Sequence, residues 1–219
     1  GPIHHGLLER GAKTASDSYV LWPAKIGAFS LVMGRHVCHQ DTRDLPFSYL
    51  IEQESTSYIV PGANLKSVGT IRDAKKWPQR DGRTDPDRLD CINFNLLSPY
   101  TIRKMIKGRE LLQSLQAVSG DKSDTYSFQS GLIRRSSLQK GLRLYSMAID
   151  KFLGNSLITR IMNSSFSTLD ELHEALRPTA CHGEGEWIDV GGMIVPENAF
   201  NALLDHVENG TVSDTRVVE

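Results

Sequence analysis

Two groups of side chains in this 219-residue chain have the types and spacing to do chemistry. The first is His36-Val37-Cys38-His39-Gln40-Asp41-Thr42-Arg43. An imidazole titrates near neutral pH, so His36 or His39 could act as general base on an acceptor hydroxyl or amine. Asp41 and Arg43 would then hold a polar ligand beside it. The second group runs from Arg72 to Arg83 and offers Arg72, Lys76, Arg80 and Arg83 around Trp77. Guanidinium forks suit phosphate oxygens, and an indole can stack on a base or a sugar face. A short hairpin between the two groups would bring them together. The resulting pocket would have cations for phosphate and an imidazole for a hydroxyl. The opposing reading is a polar surface turn and a solvated basic loop. His36 and His39 match no standard zinc spacing, so no metal is expected, and the residues name no cofactor. Glu184, Glu186 and Asp189 lie among glycines and read as a turn before a strand. Neither a GxGxxG nor a GxxxxGK[ST] loop is present, nor a nucleophile elbow.

The elements that must position these groups begin with a repeat of six. Leu8, Thr14, Val20, Ile26 and Val32 recur at that spacing, with small residues at Ala12, Ser18, Ala24 and Ser30. An aliphatic every sixth residue with a small partner at a fixed offset is what a left-handed parallel β-helix requires. The repeat stops at His36, where an imidazole replaces the small corner residue, so that side chain is expected to leave the interior. Strands are expected near 47–52 and 56–60, joined by a polar turn. Residues 78–90, with Pro78, Gly82 and Pro86, read as an exposed loop. Ser98-Pro99 opens a helix that stops near Gly120, and a polar stretch over 120–130 links it to the next. A second helix buries Leu138, Leu142, Tyr145, Ile149 and Phe152 and breaks at Gly154-Asn155, before a short third. Ser167 or Thr168 caps a fourth with Leu169, Leu172 and Leu176 inside. A short strand at 187–190, Gly191-Gly192 and a second strand precede a last helix that buries Phe200, Leu203, Leu204 and Val207. The fold expected is therefore mixed β and α, in three parts. Residues 1–43 are the last coils of the β-helix and a junction, 44–95 a β-hairpin and basic loop, and 96–219 a mostly α-helical C-terminal extension.

The formal charge is −1 and the hydrophobic fraction 39%. That balance argues against a nucleic-acid-binding polycation. No eighteen apolar residues run together, which argues against a membrane span. Three widely spaced cysteines, Cys38, Cys91 and Cys181, suit reduced thiols in the cytoplasm better than a disulfide framework. One or so turns of such a coil cannot bury their own interior, so the chain is expected to be a C-terminal fragment of something longer.

Longer motifs are more specific than hexads. They include Asp44-Leu45-Pro46-Phe47-Ser48-Tyr49-Leu50 and residues 69–81, from Gly69-Thr70-Ile71 to Pro78-Gln79-Arg80-Asp81. With Leu97-Ser98-Pro99-Tyr100 and Gly185-Glu186-Trp187-Ile188-Asp189-Val190 they resemble a hexapeptide-repeat family of large bacterial proteins related to sugar-phosphate nucleotidyltransferases. The resemblance covers most of the chain. It implies a transferase, by nucleotidyl or acyl transfer, acting on a nucleotide sugar or phosphosugar, and it assigns no catalytic residue. The region a transferase domain would occupy is not in this sequence, so the fragment alone is expected to be inactive. The competing reading is a non-catalytic oligomerisation and assembly module of a larger bacterial protein. Both imply a homo-oligomer, since prisms of this kind often form trimers.

Overall fold

The structure, a computed structural model, describes residues 3–84, 86–87, 90–120, 122–178 and 183–212. It divides into two compact units: Gly1–Pro86 with Phe94–Phe152, and Asp87–Asn93 with Leu153–Glu219.

The first unit opens with six short strands, β1 (Leu7–Leu8), β2 (Lys13–Thr14), β3 (Tyr19–Val20), β4 (Lys25–Ile26), β5 (Leu31–Met33) and β6 (Arg35–His36). They pair in parallel as β1–β4, β2–β5 and β3–β6. A hairpin follows, β7 (Tyr49–Gln53) and β8 (Thr56–Val60). Its turn residues Glu54 and Ser55 both have positive φ, which matches the right-handed twist of the flanking strands. A 3-10 turn at Ala63–Lys66 leads into α1 (Val68–Arg80), and Ser98 caps α2 (Pro99–Ser119). β9 (Thr125–Phe128), β10 (Gly131–Arg134) and α3 (Arg135–Met162) complete the unit's elements.

The principal sheet is six-stranded and mixed, in the order β2-β5-β7-β8-β10-β9. Ile26, Phe29, Val32, Leu50 and Ile59 are buried on the strand side, as are Met105, Leu112, Leu138 and Tyr145 on the helices. Two glycines set the helix approach. A Cβ on Gly108 would lie 2.3 Å from the Asp44 carbonyl oxygen, and one on Gly141 2.8 Å from Pro61 Cβ. Tyr145 donates its hydroxyl to the Pro46 carbonyl at 2.8 Å, and burial pushes that phenol far above its ordinary range.

This topology corrects the expected fold. Leu7 pairs with Lys25 and Lys13 with Leu31, eighteen residues on, but at β3–β6 the offset drops to sixteen, Tyr19 beside Arg35. The hexad segments are two or three residues long and divide among three sheets, one of which is the mixed sheet. The molecule is a mixed α/β fold with several small sheets, not a left-handed parallel β-helix with helices appended. The physical reason is the shortness of the repeat, which cannot enclose an interior by itself. Ile26 on β4 and Val32 on β5 are buried, while Leu8 on β1 is 46% exposed.

Three further expectations change. Residues 68–80 form a helix that runs through Pro78, α3 continues unbroken past Gly154-Asn155, and the polar link expected at 120–130 carries β9 and the turn of a hairpin that ends at Arg134. The helix capped by Thr168 is α4 (Leu169–Leu176), with Leu169 66% exposed rather than inside.

The second unit contains the end of α3, α4, the hairpin β11 (Trp187–Val190) and β12 (Met193–Pro196), and α5 (Glu197–Glu208). Arg160 donates to the carbonyls of Ala175 and Arg177 at 2.5 and 2.7 Å, closing the C-terminus of α4. Asn93 N donates to the Gly192 carbonyl at 2.9 Å, and Ile92 packs at the same glycine. Among the described residues of this unit none is fully buried. Leu204 and Val207, expected inside, are exposed.

Candidate functional site

His36 is fully buried, so the expected outward turn of its ring does not occur. Its Nε2 lies 3.1 Å from the Met33 carbonyl oxygen, which can only accept, so that nitrogen carries the hydrogen. Nδ1 then accepts from Ser57 Oγ at 2.8 Å. Burial holds the imidazole below the ordinary histidine range, against the opposing pull of the Met33 carbonyl and Glu52. Both ring nitrogens are therefore engaged, Nε2 with Met33 at the end of β5 and Nδ1 with Ser57 on β8. Cys38 Sγ lies 3.5 Å from Ser57 Oγ and receives a hydrogen bond from Gln40 Nε2 at 3.2 Å, which extends the chain of contacts along the junction. His39 is exposed, with Nδ1 3.3 Å from the Leu21 carbonyl.

Asp41 and Arg43 are bound to each other, with Nε at 2.9 Å and the terminal nitrogen at 2.6 Å. Burial alone would raise the Asp41 carboxyl, but the Arg43 guanidinium more than offsets that and leaves it lowered. The Asp41 main chain is held by Gln129. Its side chain accepts from Asp41 N at 2.8 Å and donates to Asp41 O at 2.9 Å, as a neighbouring strand would.

The basic stretch holds different partners. Asp73 bridges to Lys13 on β2 and to Arg72, and Lys13 above all keeps its carboxyl lowered. Trp77 stacks on Phe29 at 6.1 Å, and Phe29 on Phe47 at 4.9 Å, so one face of the indole is occupied within the fold. Arg83 clamps Asp81 at 2.7 and 2.5 Å. Lys76 and Arg80 are exposed on α1. Among the described residues no three His, Cys, Asp or Glu side chains are grouped to hold a metal, and no helix is long and apolar enough to cross a membrane. Cys38 and Cys91 are free thiols, and Cys181 lies outside the described residues.

Two features escaped the motif reading. The first is a cavity of about 320 Å³ in the first unit, walled by Phe47, Leu97, Leu144 and Ala148 and flanked by Lys66 and Lys151. Its walls come from Phe47 just before β7, the 3-10 turn, α1, the segment before α2 and α3, too far apart in sequence for a spacing rule to collect. The second is the uneven distribution of charge beneath the near-zero total. Residues 153–219 hold three arginines, no lysine and eleven carboxylates, while residues 1–152 hold 22 basic and 15 acidic side chains. A count by halves finds it.

These elements define a two-unit mixed α/β protein in which the motif residues mostly serve the fold. Residues 1–116, more than half of the chain, match the family described as a domain of unknown function, DUF4954, and the chain belongs to that family. Residues 168–219 match a second domain of unknown function, DUF6819, which begins at the N-cap of α4. No curated protein and no solved structure matches the chain.

Proposed function

We propose that the chain is an assembly module, and that its second unit docks on the first unit of another copy. The observation that carries this reading is a set of helices and a hairpin with no fully buried residue among those described. Leu153, Leu157, Ile158, Met162, Leu204 and Val207 stay exposed, Met162 at 79%. Short helices gain most of their stability by packing an apolar face, and contiguous exposed apolar surface marks an interaction site. Charge selects the occupant. An excess of eight carboxylates on residues 153–219 complements an excess of seven cations on residues 1–152 of a second chain. Transfer to a nucleotide sugar or phosphosugar remains the competing reading. Its residues, His36 and the arginines near Trp77, are largely engaged by structural partners.

Sedimentation velocity from 1 to 100 μM tests the assembly. Concentration-dependent oligomers are expected, loosened by Asp170→Lys with Glu174→Lys on α4, two carboxylates outside its Thr168–Glu171 capping box. A chain that stays monomeric throughout would overturn the reading.

A further inference from the structure

We infer that the cavity of the first unit binds an amphipathic anion, a medium-chain aliphatic carboxylate. The walls are almost entirely apolar. Phe47 is fully buried, Leu144 and Ala148 are nearly so, and Met147, 54% exposed, lies at the opening with Ile71. The only charged side chains lining the cavity are Lys66 and Lys151, both exposed. A nucleotide or free sugar would leave its hydroxyls facing carbon here, because a buried polar group without a partner is costly. A hydrocarbon chain loses nothing polar on entry, and its carboxylate can remain at the surface between two ammonium groups. About 320 Å³ is at the small end of ligand cavities and has room for a chain of about ten carbons.

The site is fixed by the fold. Asn64, within the 3-10 turn that also supplies Leu65 and Lys66, donates from its backbone to the Phe47 carbonyl at 2.8 Å. Tyr145 anchors α3 to Pro46, beside Leu144 on one wall and Phe47 on another. The cavity is thus built on hydrogen-bonded elements and stands in place before a ligand arrives. A methionine at the opening can repack around chains of differing length. This inference does not rest on the assembly reading, and either could fail alone.

Calorimetric titration of the full chain with decanoate, and separately with neutral decanol, tests it. Decanoate is expected to bind with 1:1 stoichiometry and at least tenfold tighter than decanol. Lys66→Gln with Lys151→Gln should erase that preference and leave decanol binding unchanged. Met147→Trp, a surface change that closes the opening, should weaken both at least tenfold without lowering the melting temperature. No uptake of decanoate below 1 mM would overturn the proposal, as would uptake indifferent to the two lysines. If decanoate fails to bind but Met147→Trp abolishes self-association, the occupant is a second copy and the carboxylate site is refuted.

Discussion

Asn64 donates its side-chain amide to the Phe29 carbonyl oxygen at 2.5 Å, across 35 residues of sequence. The same side chain accepts from Thr70 Oγ1 at 2.8 Å. One buried amide therefore joins the turn after β4 to the first turns of α1. Phe29 has a positive φ of 55°, a conformation that a phenylalanine adopts only under constraint, and Asn64 supplies one of the constraints.

Asn64→Ala removes two buried hydrogen bonds and strands the Phe29 carbonyl. A loss of about 2–3 kcal/mol is expected from urea unfolding, with the denaturant slope unchanged. A loss below about 0.5 kcal/mol would mean that solvent reaches the carbonyl and the amide is not a tie.

How legible this arrangement was depends on how local its cause is. α2 is set by Ser98 and Pro99, with Thr101 Oγ1 accepting from Ser98 N at 3.0 Å, and it appears where those residues put it. The β11–β12 hairpin follows from alternating residues around Gly191-Gly192 in the same way. The parallel pairing of β10 with β8 through Leu132 and Tyr58 has no local signature, so residues 120–130 read as a polar linker. Gly154 did not break α3, because one glycine costs a helix only about 1 kcal/mol. At the candidate site, the histidine type was legible and its burial was not. That burial depends on Ser57, a partner 21 residues away.

Two glycines inside helices should respond oppositely to alanine. Gly154→Ala meets nothing within 4 Å and should stabilise the protein by about 0.5–1 kcal/mol. Gly108→Ala drives a Cβ into the Asp44 carbonyl and to 3.0 Å from the Tyr145 ring. It should destabilise by about 1–3 kcal/mol despite alanine's better propensity. Matched thermal melts decide it, and equal signs would show that α2 does not pack closely on Asp44.

Glu9 and Lys104 form an ion pair at 2.9 Å with side chains only 6% and 15% exposed. The other Glu9 oxygen accepts from Ala28 N at 2.9 Å, so this carboxylate links the end of β1, the turn after β4 and α2. Lys104→Met leaves a buried carboxylate without its cation, and a loss of about 3 kcal/mol is expected. Glu9→Gln keeps an oxygen for Ala28 N and should cost less. A double-mutant cycle measures the coupling, and a value near zero would show the pair to be solvent-screened.

His36 gives the chain a pH dependence of calculable sign. Burial lowers its folded pKa below the ordinary 6.5, so between the folded and unfolded values the unfolded chain binds more protons. Stability is therefore complete above about pH 6.5 and falls as the pH drops through that window. Asp41 and Asp73, both lowered from 3.8, contribute stability that is lost only at still lower pH, so the two effects separate. Protonating the ring would also turn Nδ1 into a donor toward Ser57 and force that hydroxyl to reverse. Urea unfolding at pH 7.5, 6.5, 5.5 and 5.0 should show a decline in the wild type. His36→Gln, which cannot titrate, should start less stable at pH 7.5 and decline less. Parallel curves for the two proteins would place the titration elsewhere and show that His36 is not held neutral by the fold.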